Sequence, residues 1–114
     1  MAARFTEVDT LEKLDSLIAE SSFRPIFLFK HSNSCGISAH LRYMISSLDA
    51  EVYEIVVQES RLVSNAVAER LETRHASPQA FVISNGKPVY HATHYGIDPE
   101  AIQKVLETTQ ANNI

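Results

Sequence analysis

Cysteine is nearly absent from this chain: its 114 residues contain one, Cys35. A single cysteine excludes an intramolecular disulfide, a structural zinc site built from several thiolates, and a dithiol redox centre within one chain. Clusters of cations are missing too. Ten Lys and Arg stand against fourteen Asp and Glu, for a formal net charge of −4 and an isoelectric point near 5.7. No stretch is basic enough to neutralise a run of phosphates, and the scattered Phe and Tyr offer no stacking platform, so no nucleic-acid partner is expected. Long apolar runs are also lacking. The longest uncharged one, Pro25 to Phe29, is far too short to span a bilayer, and "MAARFTEVDTLEKL" lacks the apolar core of a signal peptide. The expectation is a soluble, cytoplasmic protein with no membrane partner. Internal repeats, low-complexity tracts and Gly/Pro-rich linkers do not occur either.

What is present is ordinary globular material: 45% hydrophobic and 21% charged residues, enough for one core without metal or disulfide staples. Residues 1 to 114 are read as one domain. Strand and helix signals alternate. A short strand is expected around Arg4 to Val8, then a helix in "DTLEKLDSLIAES", with Asp9 and Glu12 spaced as a capping box and Leu11, Leu14, Leu17 and Ile18 as its apolar stripe. "PIFLF" is apolar throughout, as suits a strand covered on both faces. Ile37, Leu41, Met44, Ile45 and Leu48 make a second helical stripe, and "EVYEIVV" a further strand. Ser60 opens a helix burying Val63, Ala66, Val67 and Leu71. "QAFVIS" and "KPVYHAT" flank Asn85-Gly86, a strong hairpin signal, and Asp98 with Pro99 starts the last helix, which turns Ile102, Val105 and Leu106 inward. The order implies an α/β fold, a central mixed sheet with helices on both faces, in the thioredoxin-like arrangement.

Cys35 then falls just past the strand Ile26 to Phe29, at the first turn of the next helix, on the sheet edge where α/β folds gather ligands and reactive groups. Helix N-termini favour anions, so a thiol there is expected to spend more of its time as the nucleophilic thiolate. The competing reading is a buried cysteine acting as a small hydrophobe. Lys30 and His31 could add positive potential, unless Lys30 is simply solvated. Asn33 and Ser34 suit the helix cap, Asn33 more so. Gly36 leaves room beside the sulfur, and Ser38, one turn on, faces the same side. In "HASPQ", Ser77-Pro78 is a reasonable place for a cis bond; opposite Cys35 it would leave the backbone of Ala76 and Ser77 free to pair with an extended substrate. Otherwise Pro78 is a turn residue. His75 could approach the thiol from the proline side, or be a solvated loop histidine. His91 and His94, three apart, point to opposite faces of a strand, so no shared metal is expected. His94 is kept as a neighbour of the thiol site.

"FKHSNSCGIS", "QESRLVSNAVAERL" and "HASPQAFVISNGKPVYHATHYGI" together resemble the YtxJ-type bacillithiol-system redox proteins of the thioredoxin-like superfamily, over nearly the whole chain. The resemblance implies a monothiol disulfide-exchange protein with Cys35 reactive and Pro78 at the cis-proline position. It also implies bacillithiol as co-substrate with no bound cofactor, and client proteins carrying that thiol as a mixed disulfide. Members more often have proline after the cysteine, where this chain has Gly36. "CGIS" thereby resembles the Cys-Gly-Phe-Ser motif of monothiol glutaredoxins, which bridge iron–sulfur clusters with glutathione. The later Gly-Gly and Asp that hold glutathione in those proteins are missing from "SNGKPVYHATHYGI". An iron–sulfur carrier and a non-catalytic interaction module are therefore the alternatives to an oxidoreductase.

Overall fold

The computed structural model describes residues 2–112. Its elements run β1 (Arg4–Glu7), α1 (Leu11–Glu20), β2 (Ile26–His31), α2 (Gly36–Ile45), β3 (Glu51–Val56), α3 (Arg61–Arg70), β4 (Gln79–Ser84), β5 (Lys87–Thr93), a 3-10 turn (His94–Gly96) and α4 (Pro99–Asn112). The sheet order is β1-β3-β2-β4-β5; β1, β3 and β2 are parallel, β4 is antiparallel to β2, and β5 to β4. This is the expected mixed sheet.

Strand alternation sorts the core into two layers. Leu28, Ile55 and Phe81 meet Leu14 and Leu17 of α1 and Val63 and Val67 of α3 on one face. Phe27, Phe29 and Val82 meet Leu41 and Ile45 of α2 and Ile102 of α4 on the other. β2 and β4 are thus covered on both sides, which is why "IFLF" and "AFVI" are continuously apolar. Arg42 ties α2 to the sheet by pairing with the buried carboxylate of Glu54 on β3 and lying over the Phe5 ring, 4.0 Å from its centroid.

Several local expectations shift. The cap of α1 is Thr10, whose hydroxyl accepts from the Lys13 amide at 3.1 Å; Asp9 instead accepts from the Lys13 ammonium at 2.8 Å. Leu11 and Met44 face outward, because Leu14 with Leu17 and Leu41 with Ile45 already fill the inward stripes. The hairpin forms at Asn85 and Gly86, both at positive φ (53° and 75°), as a tight primed turn demands. Ser21 at the end of α1 anchors this turn, accepting from the Asn85 amide through its carbonyl and from the Gly86 amide through its hydroxyl. Asp98 caps α4 by accepting from the Glu100 amide at 3.0 Å.

Candidate active site

Parallel β2 and β3 end, and antiparallel β4 begins, at the same sheet edge. Everything that follows β2 or β3, or leads into β4, converges there. Lys30 registers with Gln79, which sets His31 level with Pro78. Cys35 follows after the turn Ser32 to Ser34.

Cys35 is itself the N-cap of α2, with extended backbone (φ −114°, ψ 120°), and is partly exposed. Its carbonyl accepts from Ala39 at 3.1 Å, the first helical hydrogen bond, and its side chain makes no cap hydrogen bond. Cys35 thus holds the N-cap position through its backbone while its thiol stays uncommitted, at the helix end whose dipole favours an anion, and the first turn contains no acidic residue. Neither Asn33 nor Ser34 is the cap. Both are drawn instead to Gln58, just past β3: the Asn33 amide donates to Gln58 Oε1 at 3.2 Å, and Gln58 Nε2 donates to the hydroxyls of Ser32 and Ser34 at 2.7 and 3.0 Å. Apart from its chain neighbours and its own helix backbone, nothing lies within 4 Å of a Cβ placed on Gly36, so the space at this position, next to Cys35 in the chain, is open.

Ser38 is fully buried and turns toward the end of β2. Its hydroxyl accepts from the Ser32 amide at 3.0 Å and lies 2.7 Å from His31 Nδ1. Burial holds His31 below the ordinary histidine range, which favours the neutral ring and limits the positive potential it lends the thiol.

Lys30 is not solvated. It is fully buried on the α3 face of β2, and desolvation pulls its ammonium down to about 8. Its Nζ lies 3.1 Å from Nδ1 of His75, which Ser64 of α3 also approaches at 3.3 Å. His75 sits on the exposed loop before β4, held below its usual range first by burial and then by the charges of Lys30 and Arg61.

The Ser77-Pro78 peptide bond is cis. The Ala76 amide, expected to be free for substrate pairing, instead donates to Gln79 Oε1 at 3.3 Å. Gln79 is fully buried; its Nε2 donates to the Arg74 carbonyl at 3.0 Å and to His91 Nε2 at 2.9 Å, stiffening the loop from within. His94 opens the 3-10 turn, exposed and at positive φ, and reaches the site through its backbone, donating to the Pro78 carbonyl at 3.1 Å. Among the described residues no cluster of three or more His, Cys, Asp or Glu is arranged to hold a metal, and no helix is long and apolar enough to cross a membrane.

Gln58, Ser64 and Gln79 were not anticipated as site residues. Ser64 had a signal, as the polar member of an otherwise apolar α3 stripe, and Gln79 had another, as a polar residue opening a fully buried strand.

Comparison with solved structures returns the same architecture. A protein assigned as an oxidoreductase with a thioredoxin fold is 27% identical, with a TM-score of 0.75 over 88% of this chain and 91% of its own. The thioredoxin of Malassezia sympodialis, Mala s 13, is 12% identical, with a TM-score of 0.71 over 96% and 93%. Thioredoxin NaTrxh from Nicotiana alata gives 16% and 0.71 over 96% and 95%. The family model described as monothiol bacilliredoxin BrxC matches residues 6–102, a span that holds Cys35, the loop into Pro78 and every strand but the start of β1. This chain, a thiol–disulfide redox protein by family and fold, belongs to the monothiol bacilliredoxin BrxC family.

Proposed function

We propose that this protein removes a low-molecular-weight thiol, bacillithiol, from client proteins in the cytoplasm. The observation that carries this is the placement of the sole thiol, partly exposed as the N-cap of α2, on the edge where the loop into Pro78 also ends. Cys35 thiolate attacks the small-thiol sulfur of the client mixed disulfide. A new bond forms between Cys35 and that sulfur, the old bond breaks, and its electron pair leaves on the client sulfur, so the client is reduced. With no second cysteine to resolve the adduct, a second molecule of the small thiol attacks it as thiolate, restoring Cys35 and leaving as the oxidised dimer. Open space at Gly36 supports approach of both partners.

Intact-mass analysis after exposure to oxidised bacillithiol and, separately, oxidised glutathione tests this directly. A bacillithiol adduct that forms preferentially, is absent in Cys35→Ser and is cleared by excess bacillithiol is the expected result. No adduct with either disulfide overturns the reading. A visible chromophore after anaerobic reconstitution with iron and sulfide would favour a cluster carrier instead.

A further inference from the structure

We propose that Lys30 is a positioning residue: its buried ammonium fixes the neutral His75 ring with the proton on Nε2, so that the loop into Pro78 presents a set hydrogen-bond donor to the sulfur anion released in exchange. This rests on the exchange reading above and adds a residue that does not touch substrate.

Among the described residues Lys30 has no carboxylate partner; its Nζ reaches His75 Nδ1 at 3.1 Å from a fully buried position. An ammonium carries only donors, so the nitrogen it faces must offer its lone pair. Nδ1 therefore carries no proton, and the neutral ring carries its proton on Nε2. Ser64 Oγ, 3.3 Å from the same nitrogen, can donate or accept and would tolerate either tautomer. Lys30 alone decides between them. The two ring nitrogens point apart, so Nε2–H is directed away from the buried ammonium, on an exposed residue two positions before Ser77. When Cys35 attacks, the electron pair of the broken disulfide settles on the client sulfur. Nε2–H donates a hydrogen bond to that anion and keeps its proton; the client thiolate later takes one from water.

Long-range proton–nitrogen correlation spectra of the 15N-labelled protein read the tautomer directly. His75 in the wild type should show the Nε2–H pattern, unchanged in Ser64→Ala, with Lys30→Met giving mixed tautomers and Lys30→Arg, again a pure donor, restoring the single form. Client release should slow by about tenfold or more in His75→Phe, and in Lys30→Met by less, in proportion to the Nε2–H form lost, with the double variant no slower than His75→Phe alone. A wild-type Nδ1–H pattern, an unaltered tautomer in Lys30→Met, or additive losses in the double variant would overturn the proposal. Failure of the wild type to form any Cys35 adduct would instead remove the exchange reading, while the tautomer measurement stands on its own.

Discussion

Lys30 shows how a residue's neighbours decide its chemistry. Next to "IFLF", a lysine reads as the point where a buried strand meets water, yet β2 continues to His31 and the Lys30 side chain stays inside. Nothing local announces this, because the group that receives the ammonium is 45 positions away. His75 and Cys35 were legible from their company in "HASPQ" and "FKHSNSCGIS"; the buried link from Lys30 to His75 was not. Burial of that charge has an energetic signature. A fall from 10.5 to about 8 corresponds to a penalty of about 3 kcal/mol on the folded state wherever the group must be charged. The folded value lies below the unfolded one, so the unfolded chain binds more protons. The penalty is therefore present in full at neutral pH and fades as pH rises from about 8 to about 10.5. Lys30→Met should raise the stability at pH 7 by about 1–3 kcal/mol in urea unfolding, with the gap to wild type closing across that window. A variant less stable than wild type at neutral pH would show that the hydrogen bond to His75 outweighs desolvation.

At the scale of elements, types were legible and ends were not. The α1 cap moved by one residue because Thr10 can reach the Lys13 amide while Asp9 is held by the Lys13 ammonium. The α2 cap moved further, because Gln58, remote in sequence, claims Asn33 and Ser34 and leaves Cys35 at the helix start. That shift makes Gly36 the first residue of α2, the position where proline is best tolerated, since a first-turn amide has no helical acceptor. Cys35 before it is already extended, as a residue preceding proline must be, and the space at Gly36 is open. Gly36→Pro should therefore stabilise the fold by about 0.5–1 kcal/mol through a stiffer unfolded chain, measured as a higher urea midpoint with unchanged slope. A loss of stability would mean that the Gly36 amide is already engaged. Applied to Cys35→Ser as well, the substitution should give the same gain, because the effect does not pass through the sulfur.

For the whole molecule, the alternation of strands and helices and the Asn85-Gly86 hairpin carried the topology, and the topology alone brings Cys35, His31, His75 and Pro78 to one edge. The side of the sheet that His31 takes follows from strand parity, whereas that of His75, on the loop before β4, follows from its partners Lys30 and Ser64. His31 bonds to Ser38 of α2 and His75 to Ser64 of α3, so the two titratable rings at this edge lie on opposite faces of the sheet. Burial is the leading cause that holds both below the usual value of 6.5. The sign is then the same as for Lys30: the unfolded chain binds protons more readily, so the stability these rings contribute is present above about pH 6.5 and is lost as pH falls through their folded values. The stability of the protein should climb with pH from the acid side, through the histidines, and again through Lys30 on the alkaline side. Urea midpoints measured between about pH 7 and about pH 5 should fall less steeply in a His31→Gln, His75→Gln double variant than in the wild type, each substitution removing part of the slope. Because the rings lie on opposite faces with separate partners, Ser38 for one and Lys30 with Ser64 for the other, their effects should add. Equal slopes in wild type and double variant would show that these rings do not carry the acid sensitivity of this window, which Asp9 cannot supply either, because its pairing with Lys13 holds it below 3.8 and its contribution is lost only below that value.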